Sequence, residues 1–376
     1  MDFTLTDKEL MFQNQAREFA RKRVRPLAAE IDRSAEFPFG LAKEMGEMGF
    51  RGLPFPAACG GVGAGYLCYA LALEQVCAAS MTVGAVMAIN TVPEEALFRF
   101  GTEDQKKRLL TPLVRGEKFG CISFTEGDTG SDPREIKTTS KLHGRAYVVN
   151  GEKQFVALAP AADLALVFAR DEEKGINAFI VDTASEGFHV KEQYDTMGVR
   201  GLGTSTLLLQ DVKVPVENLI GERGKGFGVL LEAITLGRLG VAVEAVGVAQ
   251  EALDLSLEYA RQRKALGKPL GQLLSIQGLL GEMASRLEAA RWLTYRVAFQ
   301  REQGKDIKFD SSVAKLFASQ MVVEVTRMAM QIFGSFGAMK SLPLERLYRD
   351  AKIAEVYVGI AEIQRAIIAA KLLNLP

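Results

Sequence analysis

The chain has 376 residues, too many for one hydrophobic core, so two or three structural units are expected. A hydrophobic share of 48% and a charged share of 24% are those of an ordinary globular protein. Lysine plus arginine and aspartate plus glutamate both number 46, so nothing suggests a surface built for nucleic acid or anionic membrane.

Cys59, Cys68, Cys77 and Cys121 form no C-x-x-C pair, and His143 and His189 are the only histidines. Neither a structural zinc site nor a disulfide scaffold is expected. The first residues carry charge (Asp2, Asp7, Lys8, Glu9) rather than a signal-type apolar stretch. No run of about 18 apolar residues occurs. The expectation is a cytoplasmic protein with no metal, no nucleic-acid partner and no membrane span.

Residues 1–115 read as a helical domain. Apolar residues recur at helical spacing from Glu9 to Ile31 (Leu10, Phe12, Ala16, Phe19, Ala20, Val24, Leu27). Phe37-Pro38-Phe39-Gly40 interrupts the pattern, and a further helix is placed over Leu41–Met48. The stretch Gly52–Gly65, with two prolines and five glycines, is a loop. Helical patterns resume over Tyr66–Ala78, Thr82–Phe100 and Glu103–Val114. Residues 116–230 change period and read as a central β domain. Its strands are placed at Phe119–Phe124, Ala146–Val149, Leu164–Phe168, Ala178–Val181 and Ser205–Leu209, with turns at His143-Gly144-Arg145 and Asn150-Gly151. Residues 231–376 return to long helices, interrupted at Gly267-Lys268-Pro269, Gly304 and Gly334–Pro343. Four helices of this length suggest a bundle. The α–β–α order makes the fold class α+β.

Several segments carry residues suited to ligand binding. In Phe124-Thr-Glu-Gly-Asp-Thr-Gly-Ser-Asp132, backbone N–H groups and the hydroxyls of Thr125 and Ser131 can bond a polar ligand edge. Gly130 permits close backbone approach there. Alone, this segment is equally a turn after a strand. Gly151-Glu-Lys-Gln-Phe-Val-Ala157 offers Phe155 for stacking, though a buried apolar strand accounts for the residue types almost as well. In Tyr259-Ala-Arg-Gln-Arg-Lys-Ala-Leu-Gly-Lys-Pro269, the Arg263 guanidinium matches phosphate oxygens. Taken alone it is better explained as a solvated helix-end arginine. Gln331-Ile-Phe-Gly-Ser-Phe-Gly337 and Arg349-Asp-Ala-Lys-Ile-Ala-Glu-Val-Tyr-Val-Gly-Ile-Ala-Glu-Ile-Gln-Arg365 complete the set.

In order and spacing, these segments resemble the signatures of the acyl-CoA dehydrogenase family of flavoproteins, over nearly the whole chain. The resemblance implies an N-terminal helical domain, a central β-barrel domain and a C-terminal four-helix bundle. It implies FAD as cofactor, an acyl-CoA substrate, an electron-transfer flavoprotein or similar acceptor, and a homotetramer. It assigns Phe124, Thr125, Gly130, Ser131, Phe155, Val156, Ala157, Arg263, Gln331, Gly334, Ser335, Ile360 and Glu362 to FAD, with Arg263 and Gln331 reaching across a subunit boundary. Ser131, Val92, Arg238, Val241 and Gly359 fall to the substrate. Ala157, Ala265, Leu266, Ser335 and Ile360 depart from the usual residues, and Ala157, Ala265, Ser335 and Ile360 each weaken an expected flavin contact.

The sharpest departure concerns the base. Most members carry a glutamate before the glycine of the last motif, where this chain has Val358. Others carry it immediately before an arginine on a different helix, where this chain has Gly237 before Arg238. Removing the α-proton of a thioester needs a carboxylate within hydrogen-bond reach. Val358 and Gly237 instead suggest an apolar, roomier site. One explanation is a cyclic or already unsaturated acyl-CoA, such as an alicyclic enoyl-CoA, that loses its proton further along to a displaced acid. Glu244 lies on nearly the same helix face as Gly237; Glu94 and Glu95 are further candidates. A second explanation is a decarboxylating or desulfinating acyl-CoA enzyme, disfavoured because Met81–Thr91 holds no anchoring Arg or Lys. A third is a non-catalytic subunit of a heteromeric acyl-CoA dehydrogenase. Flavin monooxygenases on this fold also lack the glutamate, but seldom keep the C-terminal motif this fully.

Overall fold

The structure, a computed structural model, describes residues 4–375. Helix α1 (Asp7–Phe19) opens on a reciprocal cap: the Thr6 hydroxyl accepts from the Glu9 N–H, and the Glu9 carboxylate accepts from the Thr6 N–H. The apolar run to Ile31 is not one helix. It passes through a π turn (Ala20–Val24) and a 3-10 turn holding Pro26 (Arg25–Leu27) before α2 (Ala28–Ser34). A proline N cannot donate, so the ladder breaks there. Next come α3 (Phe39–Glu47), α4 (Tyr66–Ala79), α5 (Met81–Phe100), α6 (Glu103–Gln105) and α7 (Thr111–Val114). Helices α4 and α5 are apolar on nearly every side, and both are buried almost throughout.

The central β domain is one curled seven-stranded sheet: β1 (Gly120–Ser123), β2 (Thr139–His143), β3 (Ala146–Val156), β4 (Leu164–Asp171), β5 (Gly175–Asp182), β6 (Phe188–Gln193) and β7 (Ser205–Pro215). The order is β1-β4-β2-β3-β7-β6, with β5 paired to β4. Strands β2 and β6 escape the sequence pattern because they are largely exposed and polar, with no apolar alternation to mark them.

The 37-residue α8 (Gly226–Gln262) runs through the molecule against α4, α5, α9 (Leu274–Glu302) and α10 (Lys308–Phe333). Between α8 and α9 a short hairpin pairs β8 (Lys264–Ala265) with β9 (Lys268–Pro269). The last helical region is two helices, α11 (Leu344–Val356) and α12 (Ala361–Leu372), so among the described residues five helices follow the sheet, the last two shorter than the three before them. Small residues set the α5–α8 contact: a Cβ built on Gly240 would lie 3.2 Å from the Ala88 Cβ. No described helix is long and apolar enough to cross a membrane.

Candidate functional site

The break between α11 and α12 is the centre of the site. Val358 has φ 51°, a left-handed conformation that a β-branched residue rarely adopts, and Gly359 follows at φ 87°. Such backbone costs about 1–3 kcal/mol and persists only where its surroundings hold it. Two side chains do so. On α10, Lys315 Nζ donates to the Glu355 carbonyl at 3.2 Å and to the Gly359 carbonyl at 2.7 Å. On α12, Gln364 Nε2 donates to the Val358 and Gly359 carbonyls at 3.3 and 3.1 Å. Neither residue stood out in the sequence. The available signal was a single lysine within the apolar stretch Val313–Ala318.

Gly237 and Val358, the two positions at which the resemblance expects a base, meet although they lie on separate elements. A Cβ built on Gly237 would lie 3.0 Å from Val358 Cγ1 and 3.6 Å from Val92 Cγ2. This corrects the expectation of a roomier pocket, because Val358 fills the space that Gly237 leaves. Val241 is buried one turn further along α8.

Charge gathers beneath this apolar contact. Arg238 is 5% exposed, its Nε has no hydrogen-bond partner, and burial lowers its pKa to about 10. Lys315 is fully buried. Burial, then outweighing the opposing pull of Glu355, brings its ammonium down to about 8, helped by the nearby Arg238 charge. The Tyr357 hydroxyl and Gln364 Oε1 are also buried without partners.

The candidate acids are placed differently. Glu95 accepts from the Tyr66 hydroxyl at 2.6 Å and forms ion pairs with Arg99 and Arg301. It belongs to a buried charge network, and its oxygens are already taken, which removes the reason to read it as a base. Glu94 pairs with the buried Arg51 at 3.1 Å; burial pushes its carboxyl up to about 7 against the pull of Arg51. Glu244 is buried, its Oε2 has no partner, and desolvation raises its pKa well above the usual range. It lies about 10 Å along α8 from Gly237 at 1.5 Å per residue. Its electrostatic neighbours are Tyr69 and Cys77 on α4.

A second group of residues is the one expected to face a cofactor. The loop 124–132 is tied down by Glu126, which receives Lys153 Nζ at 2.7 Å, the Thr138 hydroxyl at 2.6 Å and the N–H groups of Lys137 and Thr138. The Gln154 N–H donates to the Thr125 carbonyl at 2.9 Å, joining the loop to β3. Thr125 and Phe124 are half-buried, while Gly130 and Ser131 are exposed. At the end of β3, Phe155 is 64% exposed with φ 55°, and one ring face stacks on Tyr194 at 4.9 Å. Val156 is buried beside it and Ala157 half-buried. The Thr129 hydroxyl is buried without a partner. An exposed aromatic face beside an orphaned hydroxyl and a tethered polar loop fits a planar cofactor with a polar edge.

Tyr259 on α8 stacks on Phe333 of α10 at 4.0 Å, which brings two further motifs together. The Arg263 guanidinium lies 5.7 Å from the Phe336 ring centroid, with Gln331, Gly334 and Ser335 exposed nearby in sequence. Ile360 is exposed next to Val358, and Glu362 pairs with Arg365 at the surface. Among the described residues no cluster of potential ligands could hold a metal ion.

Comparison with known proteins matches three family descriptions in chain order. They are acyl-CoA dehydrogenase N-terminal domain over residues 6–117, middle domain over 121–212 and C-terminal domain over 224–373. The short-chain specific acyl-CoA dehydrogenase of Clostridium acetobutylicum is 37% identical, covering 99% of this chain and 100% of the relative. Butyryl-CoA dehydrogenase from Megasphaera elsdenii superposes with a TM-score of 0.97 at 37% identity, covering 99% of this chain and 100% of that one. A chain in a structure described as the electron transferring flavoprotein of Acidaminococcus fermentans superposes at 0.98 with 36% identity, covering 99% and 100%.

Proposed function

Since the chain belongs to the acyl-CoA dehydrogenase family, whose members are FAD-dependent oxidoreductases acting on CH–CH groups, we propose that it oxidises a CoA thioester without a carboxylate beside the α-carbon. The observation that carries this is the Val358–Gly237 contact, which puts a methyl group where either customary base would stand. Phe155, Thr125, Ser131, Thr129 and the Glu126-tethered loop would hold the flavin, with Arg263 and Gln331 serving a neighbouring subunit's cofactor. FAD supplies the acceptor for the β-hydride.

The substrate proposed is a cyclic or already unsaturated acyl-CoA that loses its proton away from the α-carbon. Glu244 is the proposed acceptor, supported by its burial and its unpartnered oxygen. A second route has a group other than a proton leave the α-carbon. The stretch Met81–Thr91 holds no cation to anchor such a group. Arg238 and Lys315 supply cations from α8 and α10 instead.

A homotetramer, a cytoplasmic location and an electron-transfer flavoprotein as acceptor complete the reading. The last is supported by the likeness to a chain from the Acidaminococcus structure.

Anaerobic titration of the FAD-loaded protein tests the proposal. Cyclic enoyl-CoA should bleach the flavin, while butyryl-CoA should do so slowly or not at all. Rapid bleaching by butyryl-CoA would overturn the base-free reading. Glu244→Gln should slow bleaching by cyclic enoyl-CoA about 10²-fold or more, the usual worth of a general base; an unchanged rate removes Glu244 from the mechanism. A chain purified free of FAD would favour a non-catalytic subunit.

A further inference from the structure

We infer that Arg238, backed by Lys315, seats a carboxylate carried on the α-carbon of the CoA thioester, whose departure as carbon dioxide replaces α-deprotonation. This deepens the second route above and rests on the chain's oxidising CoA thioesters.

The chain pairs its other buried cations with carboxylates. Arg51 pairs with Glu94, Arg301 with Glu95 and Glu232, and Lys153 with Glu126. An unpaired buried charge costs several kcal/mol, so such pairing is what burial demands. Arg238 and Lys315 break the rule. Among the described residues neither forms an ion pair, and the Arg238 Nε is buried without a hydrogen-bond partner. Lys315 donates only to two backbone carbonyls. The carboxylates that influence Lys315 are Glu355 and Glu362. Glu355 binds Lys352 at 2.5 Å, and Glu362 binds Arg365 at the surface.

Position sharpens the contrast. Arg238 follows Gly237 on α8, and Lys315 holds the carbonyl of Gly359, next to Val358. A glutamate at 237 or 358 would have placed its negative charge beside these cations. This chain has none there, so the missing counter-charge and the missing base are one vacancy in the chemistry. A carboxylate on the substrate's α-carbon fills both.

The step balances without a protein base. The bond between the α-carbon and the carboxylate breaks, its electron pair stays as the thioester enolate, and carbon dioxide leaves. That pair closes the double bond to the β-carbon as the β-hydride passes to FAD. R-CH2-CH(COO−)-CO-SCoA plus FAD thus becomes R-CH=CH-CO-SCoA, carbon dioxide and reduced, singly anionic flavin. The cations draw the carboxylate in, and the Val358 wall favours the neutral product over the charged reactant.

Two measurements test this. Malonyl-CoA carries the carboxylate but has no β-hydrogen to pass to FAD, so it cannot reduce the flavin and its affinity is read apart from that step. By calorimetry it should bind the FAD-loaded protein about 10–100-fold tighter than acetyl-CoA, the worth of a charge-assisted hydrogen bond. Arg238→Gln and Lys315→Met should erase that ratio, and Arg238→Lys should restore part of it. The wild-type comparison stands even where a variant fails to fold.

In the second measurement, 2-carboxybutyryl-CoA should bleach the flavin anaerobically with an equal amount of carbon dioxide, while butyryl-CoA does not. Equal binding of malonyl-CoA and acetyl-CoA overturns the seat. Malonyl-CoA preference without carbon dioxide release overturns the cleavage. Bleaching by cyclic enoyl-CoA with neither effect overturns this inference alone. Failure of every CoA thioester to bleach an FAD-loaded protein overturns the proposed function with it.

Discussion

At the scale of single residues, the proposed chemistry turns on Val358, because a hydrocarbon side chain accepts no proton. Val358→Glu should therefore convert the site toward ordinary dehydrogenation. Butyryl-CoA should bleach the flavin about 10²-fold faster or more in the variant. No gain would mean that the loop no longer points position 358 at the substrate. Glu94 makes a different prediction. Its folded pKa of about 7 lies above the ordinary carboxylate value of 4.5. A group raised in the folded state contributes stability that is full below pH 4.5 and lost as pH climbs through 7. Urea midpoints should show wild type losing, over that window, on the order of 3 kcal/mol relative to Glu94→Gln. Parallel pH profiles for the two proteins would refute the shift.

At the scale of elements, the loop proposed to face the cofactor is tied to strand β3 by a buried ion pair, Lys153–Glu126, beside the Gln154–Thr125 backbone bond. Burial lowers the Lys153 ammonium to about 8, and the same lysine helps hold Glu126 below its usual value despite burial. Lys153→Met should cost about 3–5 kcal/mol, because it strands a buried carboxylate. Adding Glu126→Gln should recover part of that loss. FAD fluorescence should rise in the single variant as cofactor escapes. A single variant as stable as wild type would show that water already reaches the pair. The turn between α11 and α12 obeys the same logic: Lys315 and Gln364 hold strained backbone that its own sequence would not adopt.

At the scale of the whole molecule, Arg263, Leu266, Leu274 and Phe336 stand exposed on one chain. The proposed tetramer accounts for them. Sedimentation should give a tetramer, and Arg263→Ala should lower bound FAD while leaving the assembly intact. Unchanged FAD content would free Arg263 of its proposed role.

Much of this protein was legible in its residues. Period alone separated helix, strand and helix, because apolar spacing follows the geometry of each element. The ordered motifs singled out the residues proposed to hold the cofactor, since glycine, hydroxyl and aromatic groups carry their chemistry wherever they are placed. The absence of a glutamate at 358 and 237 was equally plain. What no pattern could reveal was contact between distant segments. Only the fold brings Val358 onto Gly237, so only the fold shows that the pocket is filled rather than enlarged. The same holds for charge: a lysine at 315 and an arginine at 238 look solvated until packing buries both near the same turn with neither in an ion pair. Burial and pairing are properties of the folded chain, and they decide what an ionised group there can bind.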